Sequence, residues 1–129
     1  KNASRDTGLC VMPDENCNFY NIVKIIQKNT GHFGITPHIH LIFPFLPKES
    51  FNDIYKIVTY FTSEFKSFDI RFKDIIRKEG TGKQYVYLVC DDISKDILVK
   101  MQKSIMIGLC DALKNGQNQN NQNKLNNND

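Results

Sequence analysis

Residues 37–45 read Pro-His-Ile-His-Leu-Ile-Phe-Pro-Phe, an apolar and aromatic run that carries two histidines two positions apart. Side chains alternate between the faces of a sheet, so a strand here points His38 and His40 the same way. The two imidazoles should lie in a partly accessible groove, where they could carry protons, bind phosphate or ligate a metal. The apolar residues between and after them should be buried on the opposite face: Ile39, Leu41 and Phe43.

The two prolines of this run help to define the strand, which we expect from about Thr36 to Phe43. Pro37 favours an extended conformation for the residue before it. Pro44 has no N–H for a ladder hydrogen bond and should end the strand. A half-buried strand whose histidines face solvent without a task is the alternative interpretation.

The same run resembles the first histidine motif of the 2H phosphoesterase superfamily, in its 2′-5′ RNA ligase-like branch. That motif is His-apolar-Thr or His-apolar-Ser, commonly preceded by Pro and followed by Leu, two residues and Pro-Phe. The matching residues here are Pro37, His38, Leu41, Pro44 and Phe45. The resemblance extends, through the order of elements, over roughly residues 8–113.

The resemblance implies metal-free chemistry on a 2′,3′-cyclic or 2′-5′ phosphodiester of RNA or a nucleotide, with no cofactor. In the family, two histidine motifs face each other across a cleft, one taking a proton and the other giving one. This pattern implies that His38 is catalytic. His40 stands where the family usually has Thr or Ser and is implied to bind phosphate, since imidazole can donate a hydrogen bond.

The sequence departs from the family in lacking a second histidine motif. The one other histidine of the sequence is His32, which lies in the loop before the first motif and is not expected to face His38. Either a longer protein resumes after the Asn-rich end, or this is a half-domain. Losing one acid or base typically costs about 10²- to 10⁴-fold in rate, so we expect the chain alone to be nearly inactive.

Composition indicates one ordinary intracellular domain. The 129 residues are 40% hydrophobic and carry a net charge of +3, which is compatible with a phosphate-bearing ligand. No apolar run reaches the length of about 20 residues needed for a membrane span, and no signal peptide is visible. We therefore expect four reduced cysteines, no membrane contact and a cytoplasmic or nuclear location.

Hydrophobic periodicity predicts the order strand, helix, strand, helix, strand, strand, helix. This order indicates an α+β fold, a mixed and largely antiparallel sheet with helices packed on it, with the 2H architecture and possibly incomplete. Ser94 is expected to cap the last helix. The predicted organisation is a flexible segment (1–7), one domain (8–114) and a disordered tail (115–129) with eight Asn and three Gln.

The predicted hairpin suggests a second role for the scaffold. Strands at 68–72 and 85–90 flank a turn at 80–83, and basic residues surround them. Arg71 could contact phosphate, while Tyr85 and Tyr87 could stack on bases. A non-catalytic nucleotide- or RNA-binding module on the same scaffold is therefore the alternative function, and a merely solvated hairpin is the simplest interpretation of the basic cluster.

Two other histidine chemistries fit less well. A histidine-triad nucleotide hydrolase would need a third histidine at position 42, which is Ile42. A zinc site could use His38 and His40 but needs further ligands, and Cys10 on the adjacent strand is the one plausible helper. We therefore predict no metal site.

Overall fold

The computed structural model describes residues 3–31 and 37–125. It divides the chain into two compact units, Lys1–Phe51 and Asn52–Asp129, where the sequence predicts a single domain. Both units combine helices with a small antiparallel strand pair, which confirms the α+β class. Within the described residues the strands form two separate pairs and not one sheet. No helix in this part of the chain is long and apolar enough to cross a membrane.

The first unit is built on strands β1 (Leu9–Val11) and β2 (Ile39–Ile42), which pair antiparallel, with helix α1 (Asn18–Thr30) between them in sequence. The Cys17 thiol accepts a hydrogen bond from the Tyr20 N–H and caps α1. The helix ends at Gly31, whose positive φ of 71° suits a residue without a side chain.

The start of this unit is held by hydrogen bonds, whereas the sequence predicts a flexible segment over 1–7. Ser4 and Phe45 exchange backbone hydrogen bonds of 2.6 and 3.2 Å. The Thr7 hydroxyl donates to the Leu46 carbonyl at 2.9 Å. The chain ahead of β1 therefore extends the strand pair beyond β2, which sequence periodicity could not reveal because it depends on residues about 40 positions away.

The second unit contains helix α2 (Phe51–Ser63), which begins at its boundary, strands β3 (Phe72–Gly80) and β4 (Lys83–Cys90), and helix α3 (Asp92–Leu125). A short 3₁₀ turn, Lys48–Ser50, precedes α2. The strands β3 and β4 form the predicted hairpin, with Gly80 opposite Lys83 and with Gly82 at a φ of 72° in the turn.

The predicted strand over 68–72 is absent, since β3 begins only at Phe72. The reason lies in Ser94, whose hydroxyl accepts from the Arg71 N–H at 2.9 Å and donates to the Asp69 carbonyl at 3.3 Å. These backbone groups are thereby satisfied without a neighbouring strand. Ser94 is buried with 1% of its surface exposed, inside α3 and not at its cap.

The buried apolar side chains of the two helices in this unit are few among the described residues. Ile54 of α2 is buried, and α3 buries three residues on one stripe: Leu98, Ile105 and Leu109. The Phe61 ring of α2 lies against the backbone of α3 at Gly108, where a Cβ atom would overlap the ring. Gly108 therefore provides the space that lets this aromatic ring approach the helix.

Helix α3 continues through residues 115–125, which the sequence predicts to be disordered. Among the side chains described, the last buried one is Leu109. Disorder of the 115–129 segment in solution stays a prediction, and residues 126–129 lie outside the described part.

The actual cap of α3 is Asp91, whose carboxylate accepts from the Ser94 N–H at 2.8 Å. Hydrogen bonds from Ser94, aided by the positive charges of Arg71 and Lys73, lower the pKa of Asp91. The ionised carboxylate therefore stabilises the fold above the carboxyl's unfolded pKa of about 4. This stabilisation is lost as pH falls through the lower pKa of the folded state.

Asp91→Asn keeps a capping oxygen but removes the charge and its titration. We expect the variant to be less stable than the parent near pH 7, with the difference shrinking as pH falls below about 4. Urea unfolding at pH 7, 5 and 3 measures this. Asp111→Asn, an exposed acid farther along α3, controls for net charge; a stability difference independent of pH would contradict the assignment.

Candidate functional site

The β1–β2 pair places three side chains with functional chemistry together. Cys10 lies directly opposite His40 in the antiparallel register. Residues opposite each other in such a ladder present their side chains on the same face. His38, two positions before His40, is expected on that face by alternation, and its ring does lie beside that of His40.

The two imidazoles are in direct contact. Their Nε2 atoms are 2.9 Å apart, and the ring planes meet at 88° with centroids separated by 4.4 Å. Since one Nε2 must donate the hydrogen and the other accept it, the contact holds one proton between the rings. His40 is exposed and His38 half-buried, so solvent reaches the pair.

The Cys10 thiol lies on the other side of the His40 ring, with Sγ 3.4 Å from Nδ1. Partial burial raises the pKa of Cys10, which favours the protonated thiol. If the thiol donates its hydrogen to His40 Nδ1, that nitrogen must be the unprotonated one. The ring N–H of His40 is then on Nε2, and it donates to His38. We infer that His38 then presents the lone pair of its Nε2 in this contact.

The expected burial is only partly correct. Leu41 is buried and Ile39 is half-buried, but Phe43 is 55% exposed and its ring centroid lies 5.3 Å from that of His40. The strand ends at Ile42, so strict alternation no longer applies to the next residue. Phe43 therefore lines the histidine side of the strand instead of the opposite face.

Gly8 opens space beside the His40 ring. A Cβ at this position would lie 3.3 Å from His40 Nδ1 and 3.5 Å from the Phe43 ring. That separation is tighter than ordinary contact, so any side chain here would press on the imidazole. This role was not predictable from the sequence, because a single glycine before a strand does not reveal which side chain approaches it.

The hairpin residues lie in the second unit and form their own arrangement. Tyr85 and Tyr87 are exposed and stack at 6.3 Å, and the Lys78 ammonium lies 6.0 Å from the Tyr87 ring. Arg71 precedes β3, and its guanidinium pairs with Asp69 at 3.4 Å. Lys78 is thus a cation beside Tyr87, whereas Arg71 precedes the end of the hairpin where Phe72 pairs with Cys90.

The remaining histidine of the sequence, His32, lies outside the described residues. Its predicted distance from the site therefore stays a prediction. The described part brings together Cys10, His38, His40 and Phe43 in the first unit and Tyr85, Tyr87 and Lys78 in the second.

Comparison with known families identifies the class of this chain. The family model for the 2'-5' RNA ligase superfamily matches residues 13–122, which span α1, the histidine strand, the hairpin and most of α3. The chain therefore belongs to the 2'-5' RNA ligase superfamily, as the histidine motif suggests. No curated protein and no solved structure matches significantly. Cys10 precedes the matched segment.

Proposed function

We propose that this chain is a 2H-type phosphoesterase acting on 2′,3′-cyclic or 2′-5′ phosphodiesters of RNA or nucleotides. His38 is the proton-transfer group and His40 holds the phosphate. The observation that carries the proposal is the 2.9 Å contact between the two Nε2 atoms on the accessible side of β2. Membership in a superfamily named for 2'-5' RNA ligation supports this substrate class.

The histidine contact suits a phosphodiester anion. A phosphate oxygen can replace His38 as the acceptor of the hydrogen bond from His40, because a charged oxygen is a stronger acceptor than a neutral imidazole. The His38 lone pair is then available to take a proton from an attacking water or hydroxyl. This step is general base catalysis, and the fixed position of His38 beside the bound phosphate supplies the required geometry.

The leaving oxygen requires a second proton-transfer group on the opposite side of phosphorus. The 129 residues contain no second His-X-Thr or His-X-Ser strand. Turnover by this chain alone should therefore be slow, by about 10²- to 10⁴-fold relative to a site with both groups.

The exposed tyrosines of the hairpin are candidates for stacking on the bases of the substrate. Tyr85 and Tyr87 offer stacking surfaces, and Lys78 adds positive charge beside them. Arg71, held by Asp69, is a further candidate for phosphate contact. These residues also support the second candidate, a non-catalytic nucleotide- or RNA-binding module, which would bind without turnover.

Hydrolysis of a 2′,3′-cyclic nucleotide, with protein in excess over substrate, tests the proposed activity. We expect slow product formation above the buffer rate, and EDTA should not lower this rate because no metal takes part in the reaction. Saturable binding without any product would favour the binding module instead. Strong activity abolished by EDTA would contradict the proposed roles of both histidines.

We also propose an intracellular location, cytoplasmic or nuclear. All four cysteines are free thiols in the structure, which suits a reducing compartment.

A further inference from the structure

The donor atoms around His40 form a cluster with metal-ligand chemistry. Cys10 Sγ and one ring nitrogen from each of His38 and His40 all lie within 4.8 Å of one another. Zinc binds thiolate at about 2.3 Å and imidazole at about 2.0–2.1 Å. In a tetrahedron these bond lengths place neighbouring sulfur and nitrogen donors roughly 3.5 Å apart. The observed Cys10 Sγ to His40 Nδ1 distance is 3.4 Å.

Two of the three donors are held by paired strands. Cys10 and His40 are cross-strand partners in the ladder, and His38 comes directly before the strand that carries His40. The ladder fixes the backbones of Cys10 and His40, and a bound metal would replace the 2.9 Å contact between the two histidine rings with coordination. Gly8 leaves room at the Nδ1 side of His40, where a bound ion would lie.

We propose that Cys10, His38 and His40 bind one zinc-type divalent ion, with a fourth coordination position open to solvent. One thiolate and two imidazoles match the soft and borderline donors that Zn²⁺ prefers over the oxygen ligands of Mg²⁺ or Ca²⁺. Binding releases the Cys10 thiol proton to solvent as the sulfur–metal bond forms. This proposal departs from the sequence-based prediction of no metal site.

Metal binding and proton transfer compete for the same nitrogen. An ion on His38 occupies the ring lone pair that general base catalysis needs, so zinc inhibits the phosphoesterase. This consequence rests on the proposed function, whereas the metal site itself does not.

Titration of the 129-residue chain with Co²⁺ tests the site directly. A thiolate ligand gives a sulfur-to-cobalt charge-transfer band, and we expect it to saturate at one ion per chain and to disappear when Zn²⁺ displaces Co²⁺. Cys10→Ser should abolish the band and weaken Zn²⁺ binding by about 10²-fold or more, since a directly bound ligand matters at least as much as an outer-shell partner.

Cys17→Ser is the matched control, because Cys17 caps α1 in the same unit and serine can also cap a helix. This variant should keep the band. Zn²⁺ should also protect Cys10 from alkylation in the parent chain, a readout that needs no substitution. No charge-transfer band, or one that persists in Cys10→Ser, would overturn the metal site.

Hydrolysis assays separate this inference from the proposed function. Zn²⁺ should slow Cys10→Ser, relative to its own zinc-free rate, only at concentrations about 10²-fold or more above those that slow the parent chain. A cobalt band without any hydrolysis would keep the metal site and reject the phosphoesterase. Zn²⁺ that accelerates hydrolysis would keep the site but overturn its inhibitory role.

Discussion

His38→Ala should lower the rate of 2′,3′-cyclic nucleotide hydrolysis by about 10²-fold or more, because it removes the proposed proton-transfer group. The loss should fall on the chemical step, since proton transfer acts mainly in the transition state. Single-turnover rates, with protein in excess over substrate and at saturating concentration, measure this step without product release. His38 lies before β2, where a smaller side chain leaves the strand hydrogen bonds in place, and circular dichroism checks the fold.

His40→Thr is the matched variant. It restores the hydroxyl that the family resemblance places at this position, so phosphate binding should survive and activity should be unchanged or higher. The two variants therefore separate proton transfer from phosphate holding. Equal and mild effects would mean that neither histidine is catalytic and that the pair only faces solvent.

Gly108→Ala should lower the free energy of unfolding by about 1–2 kcal/mol, although alanine is the better helix former. A Cβ here overlaps the Phe61 ring deeply, so the cost should fall in the upper part of the range of about 1–3 kcal/mol that is typical of overpacking. The gain in helix propensity offsets about 1 kcal/mol at most. Urea unfolding followed by circular dichroism measures the difference.

Gly116→Ala is the control on the same helix, because nothing lies within 4 Å of its added Cβ. It should leave stability unchanged or raise it by up to about 1 kcal/mol. Adding Phe61→Leu to Gly108→Ala should recover part of the loss, since the smaller side chain relieves the overlap. A Gly108→Ala chain as stable as the parent would show that Phe61 does not pack on α3 as described.

The sequence predicts local features of this fold well. Alternation places His38 and His40 side by side, and Gly82 marks the turn between β3 and β4. These features depend on neighbouring residues, whose geometry follows from strand and turn stereochemistry. Phe43 breaks the pattern because it lies one residue beyond the strand.

Features that depend on distant partners were not predictable. The pairing of Cys10 with His40 requires the strand register, which one short strand does not specify. The role of Ser94 likewise depends on Arg71 and Asp69, more than 20 positions away. A capping pattern in sequence cannot distinguish a serine at a helix start from a serine that binds another segment.

Apolar periodicity also predicts where helices and strands form better than it predicts which side chains are buried. The first predicted helix is present as α1, yet its apolar residues Ile22 and Ile26 are more than half exposed. The hairpin strand β3 is exposed along its whole length. A periodic stripe identifies residues that favour burial, but burial requires a second surface that the pattern does not describe.

Histidine side-chain NMR, during titration with a 2′,3′-cyclic nucleotide, distinguishes a phosphate-binding histidine pair from one that only faces solvent. We expect the ring nitrogen resonances of His38 and His40 to shift together and saturate, because phosphate replaces their 2.9 Å contact. His40→Ala should weaken the binding, while His38→Ala should leave it largely intact. Saturable nucleotide binding that leaves both histidine rings unperturbed would contradict the assignment of this site.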